Sequence, residues 1–144
     1  MDMDVRPVAS AQDMQGAWAV RVQVFVEEQG VPLEMEQDVF DATATHVIAL
    51  QSGEVVATGR LLLDETSDQV RLGRMAVTTA LRGQGLGAKV LACLEDQARL
   101  QGKASVLLHA QTSVRAFYEK FGYIAHGQVF LEAGISHISM RKSL

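Results

Sequence analysis

Three glycines fall within five residues of this chain, in Arg82-Gly83-Gln84-Gly85-Leu86-Gly87, between a strand-like run and a helical one. A turn of this kind lets the main chain approach a ligand closely. The unpaired amides of the first helical turn then point at whatever lies there, and the helix dipole favours an anion. A phosphate or pyrophosphate is the natural guest, with Arg82 adding a cation at the rim. Two familiar phosphate loops can be tested against the spacing. A Walker A loop would end in Gly-Lys-Ser/Thr, but Gly83 to Val90 finishes Ala88-Lys89-Val90, without the second glycine or the magnesium-binding hydroxyl. A dinucleotide fingerprint would use Gly83 and Gly85 but needs Ala88 as its third glycine, and no strand-ending acid for a ribose follows about twenty residues on. Both nucleotide readings fit poorly. A plain tight connection is the other use of such a turn.

The flanking sequence supplies the frame. Val5 to Val8, broken by Pro7, suits an edge strand. Ser10 reads as a helix N-cap with Asp13 in the first turn, followed by Met14, Ala17, Trp18, Val22 and Phe25 as an apolar face. The acid-rich segment Glu27 to Asp41, interrupted by Gly30 and Pro32, reads as a solvated surface loop with a short helix. His46 to Leu50 and Glu54 to Leu63 form a hairpin around Gln51-Ser52-Gly53, and Val70 to Val77 is a third strand. After the turn, Leu86 to Leu100 carries Val90, Leu91, Leu94 and Ala98 on one helical face and stops at Gly102. Ala104 to Ala110 reads as a buried strand and Ser113 to Phe121 as a helix ended by Gly122. Tyr123 to Leu131 and Ile135 to Arg141 are the closing strands. About seven strands and three or four helices in mixed order predict an α/β (α+β) domain with a largely antiparallel sheet. At 144 residues, without repeats or linkers, one domain over residues 1–144 is expected.

Composition narrows the partners. A net charge of -4 argues against a nucleic-acid surface. The single cysteine, Cys93, leaves no intramolecular disulfide and no cysteine metal cluster, and the four histidines are too scattered to propose a metal. Met1-Asp2 and Asp4 open the chain where a secretory signal would have basic residues, and no apolar run approaches the roughly 20 residues that span a bilayer. A soluble, cytoplasmic protein without membrane or nucleic-acid partners is expected.

The loop spacing that does fit is Arg/Gln-x-x-Gly-x-Gly/Ala, met by Arg82, Gly85 and Gly87. Here the chain resembles the GNAT superfamily of N-acetyltransferases, whose pyrophosphate loop has this pattern. The likeness extends to Gln111-Thr-Ser-Val-Arg-Ala-Phe117-Tyr118-Glu-Lys-Phe121-Gly122-Tyr123, similar to the family's Asn-x-x-Ala-x-x-Phe-Tyr-x-x-x-Gly-Phe/Tyr segment. Arg21-Val-Gln-Val-Phe25-Val-Glu-Glu28-Gln29-Gly-Val-Pro32, the acids Glu36, Asp38 and Asp41, His46 and the tail Phe130 to Met140 look like its ElaA-like subgroup. Gln111 stands where many members have Asn, and Ser136 where Pro is expected.

The resemblance implies a GNAT fold with a splayed central strand pair, acetyl-CoA as cosubstrate without a metal, and transfer of acetyl to a primary amine by direct attack in a ternary complex. It implies cofactor contacts from Met75, Ala76 and Val77 on the strand and from Arg82, Gly83, Gln84, Gly85, Leu86, Gly87 and Ala88 on the loop. Gln111, Phe117 and Tyr118 complete that set. Tyr118 matches the general acid for the departing thiolate. For the base, Glu27, Glu28, Glu36, Asp38, Asp41, His46, His109 and His137 are all candidates, of which Glu28 and His109 are preferred. The acceptor is a small-molecule amine or a peptide or protein, and a homodimer is compatible with the family. A non-catalytic acyl-CoA-binding or sensing domain is the alternative reading, and transfer of a longer acyl group a third.

Overall fold

The structure, a computed structural model, describes residues 3–144, so the reading that rests on Met1 and Asp2 lies outside the described residues. Seven strands, β1 (Met3–Pro7), β2 (Thr45–Gln51), β3 (Glu54–Leu62), β4 (Gln69–Val77), β5 (Ser105–Gln111), β6 (Ile124–Glu132) and β7 (Ile135–Ser143), form one sheet in the order β1-β2-β3-β4-β5-β7-β6. Only β4 and β5 run parallel, and every other neighbouring pair is antiparallel. The helices are α1 (Ala11–Arg21), the four-residue α2 (Leu33–Glu36), α3 (Leu86–Leu100) and α4 (Arg115–Lys120). This is the mixed, mostly antiparallel architecture expected. Among the described residues no helix is long and apolar enough to cross a membrane.

Two layers sandwich the sheet. On one face α3 buries Leu86, Val90, Leu91, Leu94 and Ala98, four of them the residues its periodicity marks, against Val47, Leu61, Leu72, Val106 and Leu108. A Cβ on Gly59 would lie 2.7 Å from Leu94 and 2.8 Å from Met75, so only glycine lets this helix sit so close to β3. On the other face Val20 of α1 and Val24 of the helical stretch that continues it pack against Ala76 and Val55. Ser10 caps α1 as expected, accepting from the Asp13 amide at 3.1 Å.

The inward face of α1 differs from the expected one. Ala17, Val20 and Arg21 are buried, while Trp18 is 37% exposed and Met14 and Val22 only half-buried. The closest approach is at Gly16, whose absent Cβ would meet Val55 at 2.5 Å. The inward stripe therefore runs through Gly16, Ala17, Val20 and Val24 rather than through the largest apolar residues. Beyond Arg21 the helix widens into a π-helical stretch, Val22–Glu28, which turns the side chains of its last residues onto a new face.

The acid-rich segment is also not the solvated loop expected. Asp38, Asp41 and Glu36 fold back over β3 and β4 onto three arginines. Arg21 bonds Glu36 and, through two nitrogens, Asp41 at 2.9 and 3.0 Å. Arg60 bonds Asp38 at 2.7 and 2.8 Å and Asp41 at 2.7 Å. Arg74 donates to the main-chain oxygens of Met35 and Glu36, both at 3.2 Å, and to Asp38 at 3.3 Å. Glu36 is 1% exposed and Arg21 equally so. Three arginines balance three carboxylates, which is what allows charges to be buried at all. The signal for this was present in Arg21 and Arg60, cations at inward positions of a helix and a strand.

Burial opposes ionisation of Asp41, but the hydrogen bonds and charges of Arg21 and Arg60 outweigh it and hold the carboxyl at about 2. A folded-state pKa below the unfolded value of about 4 means stabilisation that is complete above about pH 4 and is lost as pH falls toward 2. Acid unfolding monitored by circular dichroism should show that loss. Replacing Arg21 by Met strands a buried carboxylate pair and should cost about 3–5 kcal/mol in urea-unfolding measurements.

Candidate active site

The cleft arises because β4 cannot stay paired to both neighbours. Its first four residues, Gln69 to Leu72, pair with Ser105 to Leu108 of β5, and there the ladder stops. On the other side two residue steps of β3, Thr58 to Arg60, oppose three of β4, Gly73 to Ala76, so β4 holds one extra residue. Arg74 takes the strain, with φ 52, and its guanidinium is the one tied to the main chain of α2. Beyond this bulge β4 and β5 diverge.

A cleft of about 970 Å³ fills the gap. Because directly paired residues share a sheet face, its two openings can be assigned. Leu108, Ala110, Ile138 and Met140 point to the side of α3 and α4, where they pack with Tyr118. His109 and Gln111, with His137 opposite Gln111, point to the side of α1. The split thus joins two faces of the sheet through one passage.

At one end lies the glycine-rich turn. Gly83 and Gly85 have φ 82 and 83, and a Cβ on either would meet nothing within 4 Å. The space beside them is open, and only their backbone conformation requires glycine. Gly85 is the N-cap of α3, and no side chain caps that helix, in contrast to Ser10 on α1. Its first amides are therefore directed into the cleft without a side-chain acceptor, in an arrangement that suits a pyrophosphate. Gly87 lies against the Phe117 ring, to which its Cβ would approach within 3.4 Å. Met75, Ala76, Val77, Arg82, Gly83, Gly85, Leu86, Gly87, Ala88, Gln111, Phe117 and Tyr118 all border the cleft, whereas the Gln84 side chain lies outside its wall.

Tyr118 comes from α4, packed edge-on against Phe117 and Tyr123. Burial pushes its phenol well above the ordinary range, so it holds its proton. Among the described residues no group hydrogen-bonds its hydroxyl, whereas the Tyr123 hydroxyl donates to Glu95 at 2.8 Å. Glu28, at the end of the π-helical stretch, grips Arg82 at 2.6 and 2.8 Å and accepts from the Thr79 hydroxyl at 3.1 Å. The Arg82 hydrogen bonds hold Glu28 below the usual carboxylate range, which weakens it as a base. The Gln111 side chain donates to Gln29 at 2.8 Å. His109 and His137 lie on the α1 side with Arg71, Phe130 and Glu132. Glu27 is exposed, and Asp38, Asp41, Glu36 and His46 belong to the arginine network or its edge. Cys93 is half-buried on α3, and burial, with the nearby Asp96 charge, pushes its thiol up and so disfavours the thiolate.

Comparison with known proteins agrees with this geometry. The family model described as "Acetyltransferase (GNAT) domain" matches residues 7–144. ElaA of Escherichia coli is 33% identical over 128 residues, covering 87% of this chain and 84% of that protein. Its crystal structure superimposes with a TM-score of 0.84 over 98% of both chains, at 26% identity. YjcF of Bacillus subtilis, named an uncharacterized N-acetyltransferase, is 33% identical over 132 residues, covering 91% of this chain and 93% of that protein. A Pseudomonas aeruginosa structure described as an acyl-CoA N-acyltransferase has a TM-score of 0.84 at 33% identity, over 98% of both chains.

The two tyrosines should respond differently to loss of the hydroxyl. Tyr118→Phe removes a group with no protein partner and should leave stability within about 0.5 kcal/mol. Tyr123→Phe takes a hydrogen bond from Glu95 and should cost about 1.5–3 kcal/mol. Urea unfolding of both variants is the check.

Proposed function

The chain belongs to the GNAT acetyltransferase family, ElaA-like subgroup, and from that premise we propose that its cleft binds acetyl-CoA and transfers the acetyl group to a primary amine. The observation that carries the reading is the passage itself: an uncapped, glycine-led helix N-terminus at one end and a split between parallel strands that opens on both faces of the sheet. Two reactants can meet in it from opposite sides, as direct attack in a ternary complex requires.

The amides of Gly83 to Ala88 and the Arg82 side chain hold the pyrophosphate. Glu28 positions Arg82 from the facing segment. The unpaired main chain of Met75, Ala76 and Val77, freed by the bulge at Arg74, bonds the pantetheine arm, and one of these amides faces the acyl oxygen and stabilises charge there. Phe117 packs beside the loop and Gln111 closes the α1 side. Acetyl-CoA supplies a thioester with an electrophilic carbonyl carbon and a thiolate leaving group. Tyr118, protonated and buried, donates to that thiolate. His109 belongs to the acceptor wall. The compartment that suits this reaction is the cytoplasm.

Tyr118→Phe should keep its affinity for acetyl-CoA, measured by calorimetry, while turnover falls by about 10²-fold or more. Unchanged turnover would remove Tyr118 from the chemistry. Gly85→Val, which forces a branched residue into a left-handed backbone, should weaken acetyl-CoA binding without unfolding the sheet. Release of free coenzyme A across a panel of primary amines tests the reading as a whole. Tight acetyl-CoA binding with no amine-dependent release would identify a sensing domain instead.

A further inference from the structure

The proposed reaction needs an acceptor for the proton that turns the incoming ammonium into a nucleophile, and two histidines on the α1 side of the passage are placed to take it. Their hydrogen bonds separate them. His109 Nδ1 lies 2.7 Å from an Arg71 nitrogen and 3.1 Å from Glu132 Oε1. Arginine only donates, so neutral His109 accepts from it through Nδ1 and carries its own proton on Nε2. The Glu132 contact becomes a hydrogen bond only when Nδ1 carries a proton, which the Arg71 donor at 2.7 Å disfavours. In its neutral form His109 has no free lone pair.

His137 is arranged the opposite way. Its Nδ1 lies 2.7 Å from the main-chain oxygen of Ile135. A carbonyl only accepts, so Nδ1 carries the proton and Nε2 carries the lone pair. No hydrogen bond within the described residues takes up Nε2, and Glu132 Oε2 stands 3.7 Å from it, too far to bond but close enough to stabilise a positive ring. The ring is 7% exposed, stacks on Phe130 at 6.0 Å and borders the cleft that Tyr118 borders from the other face. A buried histidine with a fixed tautomer, an unspent lone pair and an adjacent carboxylate has the three attributes of a general base.

We propose that His137 Nε2 is the general base, with Glu132 as the carboxylate that stabilises its charged form; this rests on the reading of the cleft as an amine acetylation site. The acceptor ammonium gives one proton to Nε2, and the neutral amine nitrogen forms the new C–N bond as the C–S bond breaks. The nitrogen, now bonded to the acyl carbon, loses its second proton through solvent to the Tyr118 phenolate left when the tyrosine protonates the thiolate, which restores the Tyr118 hydroxyl. His137 then returns its proton to solvent. The charged or titratable groups facing His137 are Glu132 and His126 on β6, and His109 and Arg71 on β5 and β4. The turn Thr112–Val114 packed on β7 contributes none.

His137→Asn keeps a donor for the Ile135 oxygen but cannot accept a proton. Its kcat/KM, with the best acceptor from the amine panel, should fall about 10²–10⁴-fold near neutral pH, with acetyl-CoA affinity and thermal unfolding preserved. The deficit should shrink as pH rises toward the acceptor's own pKa, because free amine then needs no base. A deficit of the same size at every pH would indicate a structural role and overturn the proposal, as would kcat/KM within threefold of wild type; either leaves amine acetylation standing. No amine-dependent coenzyme A release by the wild type would overturn both. Nitrogen-15 correlation spectra of the wild type provide a readout apart from activity: neutral His137 should be protonated at Nδ1, and a proton on Nε2 would overturn the assignment.

Discussion

The loss of pairing between β4 and β5 after Leu72 is the constraint on which the rest of this molecule depends. A strand inside a sheet normally satisfies its amides on both sides. Here an extra residue in β4 accompanies the end of pairing with β5, and the cost is a non-glycine residue at φ 52. What holds Arg74 in that state is its own side chain, anchored to α2, which is itself held by Arg21, while Arg60 holds Asp38 just beyond it. The buried ionic network and the cleft are therefore one construction. Charges that would be a liability in an ordinary core fix the acid-rich segment over β3 and β4.

This explains an otherwise odd division of labour among the acids. Glu36, Asp38 and Asp41 are spent on three arginines, and Glu28 is spent on Arg82. The arginines hold Glu28, Asp38 and Asp41 below the usual carboxylate range, which makes these three poor proton acceptors at neutral pH. The proposed proton chemistry falls instead to Tyr118, buried among aromatic rings, and to His137, whose Nδ1 is held by a main-chain oxygen. The two lie on opposite faces of the sheet and border the same cleft.

Much of this is visible in the sequence, and the exceptions share a cause. The strands, α3 and its buried face, the hairpin at Gly53 and the stop at Gly102 arise from local spacing and turn chemistry, so they are legible. The loop Arg82 to Gly87 is legible because Gly83 and Gly85 serve backbone conformations, which are local. The inward face of α1 is not, because Gly16, rather than a large apolar residue, sets the closest approach. The acid-rich segment is not, because its partners Arg60 and Arg74 lie 19 or more positions away in the chain. The distinction between His109 and His137 depends on a single hydrogen bond each and has no sequence signature. The bulge at Arg74 has none either.

The central claim is that a coenzyme A thioester lies along the opened part of β4 with its pyrophosphate on the first turn of α3. Backbone amide shifts of the labelled protein, followed during titration with acetyl-CoA, test this directly. The largest changes should fall on Gly83 to Ala88 and on Met75 to Val77, with β1 at the far edge of the sheet unmoved. Changes centred elsewhere, with the Gly83 to Ala88 amides silent at saturation, would contradict it.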